Sequence, residues 1–460
     1  MKKQFLMITL AGWAIVSSCA KRDNTGNPVK PENSQATRIE FAVTDGTTGF
    51  AIPNATIDVK APDGKESQLT AGKNGAASFL AVNGKFSFTV NGQGYNQLET
   101  YFSTGEDSVI YAHVNLDPTN QAAATTGRDA STSNMITISG YLSDADEHAP
   151  LANVELDLGA YKARTDGKGY FSTSFPVDPG KSNPEVKPEN ITLSAAKAGY
   201  TTHVLKNFYL VPGSYTFKIQ LRSTSSPSQN SNMRAGNEEV EYLRQGLFDR
   251  TASEAQQREA AAVAAENNTN ALGKAAAALA LPTSIRVGLS CSCLTCSSVQ
   301  VMSLESYTES GLDNEWISSW KAASLQAGAV AYRSYGAWHA LHPIRSNYDI
   351  SSTPCSQAWG SETASSTINA ARATAGISLY QNGAIFRSEY SAENNNAGCG
   401  DGFSGTGSSW PCISDTRCAG RATNGHGRGM CQWGSSFWAS DKDFRWILNH
   451  YYNPGGVVVQ

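Results

Sequence analysis

The chain has 460 residues, enough for two to four domains that each bury a core. Its 36 Lys and Arg against 40 Asp and Glu leave it near neutral, which argues against a nucleic-acid partner needing a basic face. Only 17% of residues are charged, and Ser, Thr, Asn, Gly and Ala are abundant, a composition that suits extracytoplasmic modules better than a cytosolic enzyme.

Lys2 and Lys3 precede an apolar run over 5–16, too short to span a bilayer comfortably, so residues 1–18 read as a signal peptide. Val16-Ser17-Ser18-Cys19 resembles the bacterial lipobox, which implies acylation of Cys19 and attachment to a membrane through an N-terminal lipid. Ala20, with no strongly acidic run after Cys19, points to a cell-envelope lipoprotein in the outer membrane, facing the periplasm. Polar low-complexity stretches then mark a tether over 19–36 and linkers over 118–134 and from 223.

The two segments between these linkers, 37–117 and 135–222, repeat one pattern. In the first, an alternating run over 52–59 is followed by the turn Gly72-Lys73-Asn74-Gly75, then Phe79, then Gly94-Tyr95. In the second, 151–158 leads to Thr165-Asp166-Gly167-Lys168-Gly169, then Phe171, then Gly199-Tyr200. Period-two alternation between Asp/Gly turns predicts short antiparallel strands in all-β sandwiches. The pattern resembles the carboxypeptidase regulatory-like, transthyretin-like domains. Neither segment holds a catalytic cluster: Asp58, Asp157 and Asp166 read as strand-face or turn residues, His113 and His203 are isolated, and spacer is the expected role. Residues 223–283 read as linker and helical connector, with a capping-box pattern at Thr251-Ala252-Ser253-Glu254 and an Ala-rich run after it.

The last segment, 284–460, is expected to be an α+β domain and holds eight of the nine cysteines. An even number confined to one exported domain predicts disulfides of undetermined connectivity, although the dense run over 291–296 is also compatible with a metal. Leu304-Glu305-Ser306-Tyr307 leads to Gly311-Leu312-Asp313-Asn314-Glu315-Trp316, then to Ser319-Trp320 and a helix of small residues over 325–335. Ser319 is the expected N-cap. Glu315 thus stands between Trp316 and Trp320, and a carboxyl group among indoles is poorly hydrated, so its pKa rises, as a general acid requires. Composition alone also allows a Glu that merely caps or salt-bridges a helix start. Further on, Gly425-His426-Gly427-Arg428-Gly429-Met430-Cys431-Gln432-Trp433-Gly434 offers glycines for close approach, hydrogen-bonding side chains and an aromatic face.

In this order the two segments, with the late run Ile447-Leu448-Asn449-His450-Tyr451-Tyr452, resemble the stage II sporulation protein D (SpoIID)/LytB family over roughly 284–456. The resemblance implies lytic cleavage of peptidoglycan glycan strands, in SpoIID itself strands stripped of stem peptides, with Glu315 as the catalytic carboxyl. It places Arg333, Tyr348, His426, Arg428, Gln432 and Trp433 at the substrate. His426 either orients substrate or is a structural hydrogen-bonder; His339, His342 and His450 read as structural, and Asp313 belongs to the helix start. No cofactor is required. The zinc site of some members would need three ligands after Tyr348-Asp349, where only Cys355 stands. Gln326, Gly328 and Cys431 also replace the family's common Lys, Gln and Ser. The stretch 393–420 reads as a disulfide-pinned loop. The LytB side of the family implies the alternative of a non-catalytic wall-binding protein that enhances a wall amidase, its partner besides the glycan. A third reading is an adhesin using the sandwiches.

Overall fold

The computed structural model describes residues 36–105, 107–120, 134–176, 190–209, 211–226, 280–360, 363–393, 415–418 and 429–460. The signal peptide, Cys19, most of the tether and most of the helical connector lie outside these residues. The described chain is multidomain and strand-rich, with five α-helices, none long and apolar enough to cross a membrane.

The first unit has seven strands: β1 (Thr37–Asp45), β2 (Thr56–Lys60), β3 (Glu66–Thr70), β4 (Ala76–Ala81), β5 (Lys85–Asn91), β6 (Leu98–Ser103) and β7 (Val109–Leu116). Alternation decides which face is inside: Ile39, Phe41 and Val43 of β1 are buried, as are Ile57 and Val59 of β2. One sheet runs β7-β1-β4 and the other β3-β2-β5-β6. Phe41, Phe88 and Phe102 meet between them, with Phe41 and Phe88 centroids 5.2 Å apart. The second unit comprises β8 (Met135–Asp144), β9 (Glu155–Leu158), β10 (Tyr161–Arg164), β11 (Tyr170–Pro176), β12 (Asn190–Ala196), β13 (His203–Tyr209) and β14 (Gly213–Leu221). Its sheets, β11-β8-β14 and β10-β9-β12-β13, follow the same strand order.

Matching residues fix both units. Asp45 accepts from the Thr47 and Thr48 amides and from the Tyr95 hydroxyl, and Asp144 does so from Asp146, Glu147 and Tyr200. Gly75 (φ 74°) and Gly169 (φ 72°) sit where a Cβ would fall 2.3 Å from the Val43 carbonyl and 2.7 Å from that of Leu142. Asp166 holds its turn by accepting from the Lys168 and Tyr170 amides; Asp58 lies on an exposed strand position and Asp157 on a half-buried one.

The C-terminal part is built onto both units through their sheets. β15 (Ser284–Leu289) and β16 (Ser298–Ser303) form a hairpin, and β16 pairs in parallel with β7, giving the continuous order β17-β15-β16-β7-β1-β4, where β17 is Ile350–Ser351. β18 (Thr363–Ala364) pairs antiparallel with β14 and extends the second unit in the same way. Side chains seal both junctions. Arg286, 2% exposed, makes an ion pair with Asp349, donates to the Tyr101 carbonyl at 3.0 Å and lies 3.8 Å over the Tyr101 ring. Asp117 accepts from the Ser303 and Ser306 hydroxyls, and Tyr215 bonds Ser318. The spacer role expected from sequence therefore gives way to shared sheets and shared cores: Val299, Val301 and Tyr348 belong to the apolar cluster of the first unit.

Candidate active site

The C-terminal part has five described helices: α1 (Leu304–Gly311), α2 (Ala322–Leu341), α3 (Ser365–Ala373), α4 (Gln432–Trp438) and α5 (Phe444–Tyr452). Ser303 caps α1 by accepting from the Ser306 amide. The helix then tightens into a 3-10 turn, Leu312–Asn314, whose C-cap is Glu315. Helix α2 begins later than the sequence suggested. Its N-cap is Lys321 rather than Ser319, because the chain first makes the Trp320-to-Ile317 backbone bond.

Trp316, 1% exposed, lies flat against α2 at Gly328, where a Cβ would stand 2.5 Å from the indole Cε2. That contact gives the Gly at 328 a physical reason. Gly328→Ala is expected to cost about 1–3 kcal/mol through overpacking, despite the better helix propensity of Ala. Denaturant unfolding checks this, and an equal or higher stability would contradict it. Trp316 also meets Tyr390 edge-on at 4.7 Å, and Trp320 meets Trp433 at 5.0 Å.

The Glu315 carboxyl is half-buried and accepts the Ala358 amide at 2.8 Å. The Gln432 side chain donates to the Glu315 backbone carbonyl at 2.6 Å, which fixes the residue from the other side. Beneath the carboxyl is a tyrosine network centred on Gln357, which is 1% exposed. Gln357 donates to the Tyr390 hydroxyl at 2.7 Å and accepts from Tyr307, while the Tyr332 hydroxyl donates to the Ala358 carbonyl at 2.6 Å. Burial holds all three tyrosines well above their ordinary pKa, so they stay neutral donors. Burial also pushes Glu315 up to about 7, against the Ala358 amide and the Gln432 and Tyr390 side chains, which pull it down.

The other residues assigned from sequence are placed as follows. Gln432, 3% exposed, adjoins Glu315. Trp433 is 1% exposed and packs on Trp320 and Phe437, so it presents no open face to a sugar. Arg333 is fully buried; its guanidinium binds Glu305 and the Ile377 and Ala371 carbonyls. Tyr348 packs in the core of the first unit, with its hydroxyl on the Leu294 carbonyl. His426 and Arg428 lie outside the described residues. Gly429 (φ 67°) is required where a Cβ would sit 1.8 Å from the Glu389 carbonyl, and this approach zips Met430–Cys431 onto Tyr390–Ser391. Sequence reasoning missed Gln357, Ala358 and Tyr390. They belong to no shared motif, and Ala358 acts through its backbone.

Cys355 is bonded to Cys293, and Cys291 to Cys296. The zinc ligand set considered from sequence therefore does not fit, since its remaining cysteine is consumed. Among the described residues no group of three or more His, Cys, Asp or Glu could hold a metal ion.

No curated protein matches the chain. Solved structures with some likeness include the Bacillus anthracis TIE protein, at 16% identity and TM-score 0.17, covering 41% of this chain and 34% of that one. The shaft pilin SpaA from Lactobacillus rhamnosus GG has 9% identity and TM-score 0.15, covering 42% of this chain and 99% of the pilin. Catechol 1,2-dioxygenase from Acinetobacter sp. ADP1 has 12% identity and TM-score 0.14, covering 18% of this chain and 44% of the enzyme. Scores this low carry no argument about the whole chain. Residues 294–380, which include Glu315 and Ala358, match the family model SpoIID, Stage II sporulation protein, and so place a SpoIID domain in the C-terminal part of the chain.

Proposed function

We propose that the chain is a lytic transglycosylase-like enzyme of the bacterial envelope, which cleaves peptidoglycan glycan strands with Glu315 as its acid and base. The observation that carries this reading is one carboxyl group, raised to about 7 and gripped by the Ala358 amide, inside the segment matching a family associated with cell-wall lytic transglycosylase activity. In the first step the Glu315 proton moves to the oxygen between N-acetylmuramic acid and N-acetylglucosamine. The C1–O bond breaks and leaves an oxocarbenium-like centre. In the second, the muramic C6 oxygen bonds to C1, and its proton returns to the Glu315 carboxylate. The anhydro ring closes, the carboxyl is regenerated, and neither a water nor the second carboxylate of a hydrolase is needed.

The buried groups divide from the reactive one. Gln432, Gln357 and Tyr390 position Glu315; Arg333, Tyr348 and Trp433 hold the scaffold. Substrate contact falls to His426 and Arg428. Acylated Cys19 holds the protein on the outer membrane.

The pH profile tests the acid role. The protonated form falls about tenfold per unit above its pKa, so the rate is expected to decline above pH about 7. Tyr390→Phe removes a hydrogen bond that lowers the pKa and should move this limb to higher pH. A flat rate between pH about 6 and 9 would contradict the assignment.

A further inference from the structure

Two buried nucleophiles take no part in the proposed chemistry. Cys418 and Cys431 are free and fully buried, with their sulfurs 3.2 Å apart, closer than two sulfurs in ordinary van der Waals contact. We infer that Cys418 and Cys431 form a disulfide in the mature protein, which staples the turn at 415–418 to the first residue before α4.

Both partners are already held in place. The turn is closed by the Asp415 carboxyl, which accepts from the Arg417 amide at 3.0 Å, and by the Cys418 amide on the Asp415 carbonyl. The same carboxyl accepts from Trp438 at the end of α4 and from Tyr451 of α5, so the turn is bolted to both helices. Cys431 is the N-cap of α4: its sulfur accepts from the Gly434 amide at 3.2 Å. Gly434 leaves room for the pair, since a Cβ there would lie 2.8 Å from the Cys418 sulfur. Cys431 stands directly before Gln432, the residue that holds the Glu315 carbonyl. The bond therefore braces the start of the helix beside the candidate site, while Cys293–Cys355 pins the segment that leads to Ala358. Cys431 occupies a position where the family resemblance expects Ser; a hydroxyl would cap the helix but could not make the staple.

The bond must form before the core closes, because both thiols are fully buried in the folded chain, out of reach of an exchange partner. One thiolate attacks the disulfide of an envelope thiol–disulfide exchange protein and gives a mixed disulfide. The second thiolate then displaces the exchange protein as its dithiol. The pair loses two electrons and two protons, and the exchange protein's disulfide is reduced.

This inference rests on the export proposed above, and one experiment separates the two. The full chain, expressed with its own signal peptide, is alkylated without reductant, digested and mapped by mass spectrometry. The expected result is a peptide joining positions 418 and 431, alongside the Cys291–Cys296 and Cys293–Cys355 links. Alkylation at 418 and 431 with those two links intact would overturn the staple and leave export standing, as would a link from either residue to Cys399 or Cys412. Alkylation at all of them would overturn both. Cys418→Ser tests the bracing: hydrogen exchange across 429–436 is expected to quicken roughly tenfold or more, with β1–β14 unchanged. Unchanged exchange there would sink the bracing.

Discussion

Deletion of residues 37–222 is expected to leave the C-terminal part unable to fold as a soluble unit. β16 would lose β7, and β18 would lose β14, leaving two unpaired strand edges. Val299, Val301 and Tyr348, all buried against the first unit, would face water. At about 1.5–3 kcal/mol each, their exposure alone is on the order of 5 kcal/mol, comparable with the whole stability of a domain. Arg286 would keep Asp349 but lose the Tyr101 carbonyl and ring. Expression of 237–460 with a thermal melt checks this. A soluble fragment that melts cooperatively at the temperature of the full chain would contradict the account.

Glu315→Gln is expected to lower glycan cleavage by about a thousandfold while binding of glycan persists, the usual scale for removing a general acid. Gln keeps the size of the side chain and an oxygen that can accept the Ala358 amide. Stability moves the other way, and its sign follows from the raised pKa. The folded state holds the proton up to about 7, so stability from this group is present below the ordinary carboxyl pKa and is lost as pH rises through about 7. Above that, the wild type pays for a poorly hydrated carboxylate and Gln does not. The variant should be more stable at pH about 8, by on the order of 3 kcal/mol, and the advantage should vanish toward pH about 4. Activity within twofold of wild type, or an advantage independent of pH, would count against the assignment.

Strands of both units were legible because alternation over 52–59 and 151–158, which runs into β2 and β9, declares a buried face, and the Gly75 and Gly169 turns punctuate it. The indoles beside Glu315 in sequence pointed to a poorly hydrated carboxyl with a raised pKa, whereas its catalytic role came from the family resemblance and is a proposal. What sequence could not show is what arrives from afar. The Ala358 amide, the Gln357 hub and Tyr390 reach the carboxyl from segments about 40 to 75 residues downstream, and no periodicity announces them. Trp433 read as a sugar face because its indole is sugar-compatible, yet it is 1% exposed and packs on Trp320 and Phe437. Arg333 and Tyr348 were placed at the substrate by resemblance, whereas their polar atoms are spent on Glu305 and on backbone carbonyls. The junctions at β7 and β14 were invisible because a strand's free edge leaves no mark on its side-chain pattern.

Mass analysis of the products from the full-length chain and peptide-free glycan strands, run beside Glu315→Gln, tests the central claim most directly. The account predicts 1,6-anhydromuramic ends from the wild type and none from the variant. Reducing ends would contradict it and demand a second carboxylate; absence of cleavage, with glycan still bound by both proteins, would make the chain a wall-binding protein instead.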